Sequence, residues 1–192
     1  MNHLAHRWRV LAAPGLLAVS LILAGCGGPA DAAGGTQSMA GMSMPAGEDT
    51  PPDTALMVCG DDISSKVVQV LKLDRPPMTH SAWADPLYTC TYHLPMGEMV
   101  LSVQVAADGA SAGDLFDADR TRRAPTQDLL GLGKRAFGTT TGVAVVVKDN
   151  QVLTVDTTAL PEVFGDNGQR RTDLANEIAS DVLGCWTGDG DE

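Results

Sequence analysis

The side chains of this chain that could do chemistry are few, and most of them carry sulfur. Four cysteines stand at positions 26, 59, 90 and 185, and three of the eight methionines, Met39, Met42 and Met44, fall within the wording SMAGMSM. Thioethers are soft ligands that favour Cu(I), so these three are the candidate metal ligands and Cu(I) is the one cofactor they imply. The same wording is also what an inert Gly/Ala/Ser linker looks like. Of the four histidines only His80 and His93 lie beyond the first 25 residues, and neither has zinc or catalytic spacing. His93 and Met99 flank a turn, but alternation sends His93 to a polar face and Met99 to an apolar one, so the two diverge. Gly131-Leu132-Gly133-Lys134-Arg135-Ala136 matches the letters of the G-x-G-x-x-A dinucleotide fingerprint. That fingerprint needs a following helix whose N-terminus holds the pyrophosphate, whereas Phe137-Gly138-Thr139 reads as strand. Neither S-x-x-K nor H-E-x-x-H occurs, and the chain is expected to be a non-enzyme.

The first cysteine has a different chemistry. MNHLAHRWRV is a short basic opening and Val10–Ala24 an apolar run of 15 residues broken by Pro14 and Gly15, shorter than the roughly 20 residues that a spanning helix needs. It fits a removable secretory signal. Arg7 and Arg9 are split by Trp8, so the adjacent pair of a twin-arginine signal is missing. Leu23-Ala24-Gly25-Cys26 resembles the lipobox of bacterial lipoproteins. The resemblance implies cleavage before Cys26 and alkylation of its thiol by a diacylglyceryl group. Each buried methylene of such chains contributes ~0.8 kcal/mol, and two chains pass the threshold for stable anchoring. The expected location is the extracytoplasmic face of the cell membrane, with the membrane as partner through the lipid on Cys26.

Charge sharpens that expectation. The chain has 13 Lys and Arg against 24 Asp and Glu. Loss of Arg7 and Arg9 with the signal leaves 11 against 24, a net charge of −13. Such a chain has no footprint for nucleic acid and is repelled by anionic headgroups, so lipid rather than surface attraction must hold it at a membrane. The organisation read from composition is a signal at 1–25, a flexible Gly/Met/Pro-rich tether at 26–55, one globular domain at 56–187 and an acidic tail at 188–192. A coil of 28 residues, Gly27 to Thr54, reaches roughly 30 Å.

Periodicity then supplies the elements that position these residues. Ile63–Leu71, with Val67, Val68 and Leu71 on one stripe and Asp61-Asp62 as an acidic N-terminal cap, predicts a short helix. A loop carrying His80 and Trp83 follows. Leu87–Leu94 alternates, with Tyr88, Cys90, Tyr92 and Leu94 inward. Pro95-Met96-Gly97 turns the chain, and Met99, Leu101, Val103 and Val105 continue the alternation, predicting a hairpin. A weaker helix is expected over Gly113–Arg123 around Leu115 and Phe116. Val143–Lys148 and Gln151–Asp156 flank Asp149-Asn150 as a second hairpin with a type I′ turn, setting Ala144 and Val146 beside Val155 and Leu153. Leu174, Ala175, Ile178, Ala179, Val182 and Leu183 form the apolar stripe of a helix over Thr172–Leu183. The fold class is α+β: an antiparallel sheet built from hairpins, packed on one face by a C-terminal helix and shorter helices.

With these elements in order, the domain resembles a broad group of uncharacterised actinobacterial lipoproteins. The likeness rests on Cys59 before a helix, the Cys90-Thr91-Tyr92 strand, the Gly131–Phe137 turn and strand, the Val-rich hairpin and the final helix, and covers Met57 to Trp186. It implies no activity; a non-catalytic binding or sensing module is expected, with its protein or small-molecule partner unassigned. A looser likeness in general shape is to extracytoplasmic sensor domains of mycobacterial kinases. With Cys26 lipidated, Cys59, Cys90 and Cys185 remain in an oxidising compartment and three pairings are open. The resemblance implies Cys59–Cys90, with Cys185 packed beside Trp186.

Overall fold

The computed structural model describes residues 50–165 and 167–188. Cys26, Met39, Met42 and Met44 lie outside these residues. The chain enters through a one-turn helix α1 (Asp53–Leu56) and a 3-10 turn (Met57–Cys59), followed by α2 (Asp61–Leu71). Three strands come next, β1 (Met78–Ala84), β2 (Leu87–Leu94) and β3 (Gly97–Val105), and then α3 (Gly109–Arg122). The second half holds β4 (Thr126–Asp128), β5 (Arg135–Thr139), β6 (Val143–Lys148), β7 (Gln151–Asp156), a two-strand flap of β8 (Val163–Phe164) and β9 (Gln169–Arg170), and α4 (Arg171–Gly188).

Seven strands form one antiparallel sheet in the order β1-β2-β3-β7-β6-β5-β4. Alternation decides its faces. Tyr88, Cys90 and Tyr92 of β2, Met99, Leu101 and Val103 of β3, Ala144 and Val146 of β6, and Leu153 and Val155 of β7 share one buried cluster with α4. The cross-strand pairs Ala144↔Val155 and Val146↔Leu153 fall as the alternation predicts. Leu174, Ala175, Ile178, Ala179, Val182 and Leu183 are all buried on α4, and Ile63 and Val67 of α2 join the same layer. The domain is thus α+β, an antiparallel sheet with the C-terminal helix and α2 on one face, while α3, expected on that same face, packs on the other. A smaller second layer covers the other face of β5–β7. There Phe116 and Ala112 of α3 meet Phe137, Val143, Val145 and Val152, with the Phe116 and Phe137 rings edge-on at 5.1 Å.

Local chemistry sets several boundaries differently from expectation. Met78–Ala84, read as loop, is strand β1; all but Trp83 of its seven residues are exposed, so it carries no apolar alternation to announce itself. Gly60, not Asp61 or Asp62, is the N-cap of α2; the two acids occupy its first turn, where the helix dipole favours them. α3 begins four residues earlier than predicted because the Asp108 side chain accepts from the Ser111 amide at 2.7 Å. Those hydrogen bonds to the carboxylate hold the Asp108 pKa below its ordinary range. In the β6–β7 turn only Asp149 has positive φ, so the turn departs from type I′, which requires it at Asn150 too. Gly97 has φ +142°, and a Cβ there would sit 2.6 Å from the Ala159 carbonyl oxygen, so the turn into β3 admits glycine alone.

A disulfide joins Cys59 to Cys90, with Cα atoms 5.5 Å apart, the pair that the resemblance implied. Two residues along β2, the Tyr92 hydroxyl donates to the Val58 carbonyl at 2.6 Å, so the 3-10 turn is fastened to the sheet twice. Burial pushes the Tyr92 hydroxyl pKa well above its ordinary value. Cys185 is buried on α4 outside the disulfide. Its neighbour Trp186 donates from Nε1 to the Thr54 carbonyl at 2.9 Å, and Gln151 Nε2 donates to the Thr54 hydroxyl at 2.6 Å. The point where the chain enters the domain is thereby pinned between the end of α4 and the start of β7.

Candidate functional site

The Gly131–Lys134 turn between β4 and β5 builds one wall of a cleft. Gly131 has φ +86° and Gly133 φ +62°, the left-handed conformation that glycine adopts without penalty. Between them Leu132 is driven inward and buried. The opposite wall is one stripe of α4: Ser180, Leu183, Gly184 and Thr187, positions spaced to share a helix face. Val147, Lys148 and Asp149 at the tip of the β6–β7 hairpin close the end. The resulting cavity has a volume of about 650 Å³, within the range of small-molecule sites.

Its electrostatics set it apart. Three of the chain's thirteen basic residues, Lys134, Arg135 and Lys148, line it, with Asp149 the single acid among the lining residues. Arg135 is held at the rim by Asp117 and by the Phe116 ring, whose centroid is 4.6 Å from the guanidinium carbon. Lys148 pairs with its neighbour Asp149 at 2.7 Å. Lys134 is exposed and forms no ion pair among the described residues. On the α4 wall the Thr187 hydroxyl lies 3.1 and 3.0 Å from the Leu183 and Gly184 carbonyl oxygens of its own helix. The cleft therefore combines an apolar floor of Leu132, Val147 and Leu183 with a positively charged lip. Two of its lining residues adjoin the residues that hold Thr54: Trp186 precedes Thr187 on α4, and Gln151 pairs with Lys148 across the hairpin.

The residues singled out from sequence scatter. His93 lies on the exposed side of β2 and pairs with Glu98 at 3.1 Å across the turn, while Met99 is fully buried on the other face. The two diverge as their alternation predicts. Among the described residues no group of three or more His, Cys, Asp or Glu is placed to hold a metal ion. The G-x-G-x-x-A letters form the cleft turn, and strand β5 follows them where a dinucleotide site needs a helix. Gly109-Ala110-Ser111-Ala112-Gly113 spells the G-x-S-x-G of a nucleophile elbow. It occupies the first turns of α3, and the described histidines, His80 and His93, stand on β1 and β2, away from the β6–β7 half that α3 covers. A second groove of about 920 Å³, along Lys72–Met78 and His93–Pro95, mixes Lys72 and Arg75 with Asp74. No helix among the described residues is long and apolar enough to cross a membrane.

Comparisons with protein-family models, with curated proteins and with solved structures each found no match. The resemblance drawn from Cys59, Cys90-Thr91-Tyr92, the Gly131–Phe137 turn, the Val-rich hairpin and the final helix therefore rests on those features of the sequence alone. Lys134, Lys148 and the α4 stripe were not legible as a site. A signal existed in Gly184, a small residue interrupting the wall of α4, and in Lys148, a charge ending an apolar strand.

Proposed function

We propose that this chain is a lipid-anchored extracytoplasmic binding module, held at the membrane through Cys26, whose cleft between α4 and the β4–β5 turn takes an anionic amphiphile. One observation carries the ligand class: in a chain of net charge −11, Lys134, Arg135 and Lys148 converge on a cavity floored by apolar side chains. An anionic head against the lysines would be favoured by charge and an apolar body by burial against Leu132 and Leu183. The tether meets the domain beside the cleft, which supports a ligand drawn from the membrane side. The reading assigns no catalytic step.

The test is calorimetric titration of the chain lacking residues 1–26 with dodecyl phosphate below its micelle concentration. Saturable binding is expected, with Lys134→Glu/Lys148→Glu weakening it by about tenfold or more and zwitterionic dodecylphosphocholine binding less well. Absence of saturation, or indifference to the charge reversal, overturns the reading.

A further inference from the structure

The two edges of the sheet are not alike. β4 is three residues long, follows Pro125 and ends on Asp128. A short strand, a proline and a charge are the devices by which proteins keep a sheet edge from pairing. β1 at the opposite edge also follows a proline, Pro77, but it is seven residues long, contains no proline and no Asp, Glu, Lys or Arg, and its register with β2 runs unbroken over seven pairs. Among the described residues it pairs with β2 alone.

Two turns settle which backbone groups it leaves open. The residues flanking a two-residue hairpin loop form a hydrogen-bonded pair, and such pairs recur at every second position. Ala84↔Leu87 closes the Asp85-Pro86 loop, so Met78, His80, Ala82 and Ala84 direct their N–H and C=O groups to β2. Independently, Leu94↔Gly97 closes the Pro95-Met96 loop, committing Tyr88, Cys90, Tyr92 and Leu94 to β3. That leaves Leu87, Thr89, Thr91 and His93 for β1, which is the same parity. Thr79, Ser81 and Trp83 therefore present their backbone groups to the open edge.

The geometry points to β1 as a self-pairing edge that joins two copies of this chain through an antiparallel two-fold. With Ser81 on the axis, all seven residues are matched: Ser81 faces Ser81, Thr79 faces Trp83, and Met78 and His80 face Ala84 and Ala82. Six backbone hydrogen bonds form, and each large side chain is set against a small one. The flanking charges complement each other. Asp85 of one copy falls opposite Pro77 of the other, two residues from its Arg75 and within reach of that side chain. Because the strand itself is uncharged, two acidic chains can meet there without local repulsion. This inference is independent of the cleft and its ligand.

Cysteine scanning in the intact membrane tests it. A hydrogen-bonded antiparallel pair has Cα atoms about 5.5 Å apart, inside the range of a disulfide, so Ser81→Cys should give a covalent homodimer on a non-reducing gel. Thr79→Cys alone should not, while Thr79→Cys co-expressed with Trp83→Cys should. Sedimentation of the chain lacking residues 1–26, which keeps every described element, should show a monomer–dimer equilibrium. Ser81→Pro removes an outward donor without touching the β1–β2 bonds and should weaken the dimer about tenfold or more; Ser81→Lys, which keeps the donor, should weaken it through like-charge contact on the axis. A chain that stays monomeric at ~100 μM, Ser81→Cys crosslinking no better than Thr79→Cys, or a Ser81→Cys adduct mapped to the tether or to another protein overturns the proposal.

Discussion

Removing the Cys59–Cys90 bridge by Cys59→Ala/Cys90→Ala should cost this domain a large part of its stability. The two cysteines are 31 residues apart in sequence, and closing a loop of that length removes about 12 cal/mol/K of unfolded-chain entropy, or ~3.7 kcal/mol at 25 °C. Against a typical total of roughly 5–15 kcal/mol, the melting midpoint should fall by roughly 10–20 °C for a domain of this size. The neighbouring clamp provides an internal control. Tyr92→Phe strips the Val58 carbonyl of its donor inside the core, which costs about 1–3 kcal/mol while the bridge holds that turn in place. Without the bridge the turn can shift and admit water, so Tyr92→Phe should cost less in the unbridged background. Urea denaturation followed by circular dichroism reads all four proteins of this cycle. The unbridged pair should also show a steeper dependence on urea, because the freed unfolded chain exposes more surface. A loss under ~1 kcal/mol with an unchanged slope would refute the loop-entropy reasoning.

Two further outcomes follow from named groups. Burial raises the Asp181 pKa on α4 despite the opposing charge of Lys66, so folding favours protonation relative to the unfolded chain; that contribution is present at low pH and lost as pH rises through the folded pKa. Asp181→Asn should therefore raise the melting midpoint at pH 7, with the gain fading as pH falls below the carboxylate range, and a destabilised variant at pH 7 would mean that attraction to Lys66 prevails. Cys26→Ala should move the protein from the detergent-rich to the aqueous phase in a partitioning assay, and a variant that still follows membranes would overturn the lipid anchor.

Much of the fold was legible because half-buried elements advertise themselves. Leu87–Leu94 alternates since β2 has a helix layer on one side only, and Leu174 to Leu183 repeats at helical spacing since α4 lies across the sheet. Elements exposed on all sides leave no such trace. β1 is strand only because the two-residue turn at Asp85-Pro86 folds it back onto β2, and its own side chains, exposed on both faces, carry no period. The early start of α3 was written in Asp108 as a capping residue, but the pattern of its apolar residues was too sparse to reveal it. The cleft was illegible for another reason: its walls come from residues 131–135, 147–149 and 180–187, and no local pattern links them.

By itself, the amino-acid sequence determined the acidic balance, the two central hairpins and the final helix, and it alone carries the proposal of an anchor at Cys26, since each depends on local spacing or on side-chain chemistry read one residue at a time. Tertiary structure alone decided three things: which cysteines meet, which sheet edge is left open, and that Lys134 and Lys148 share a lip over Leu132 and Leu183. Those are properties of distance between residues far apart in the chain. They come into being only when burial of the two apolar clusters fixes the sheet order and lays α4 across it.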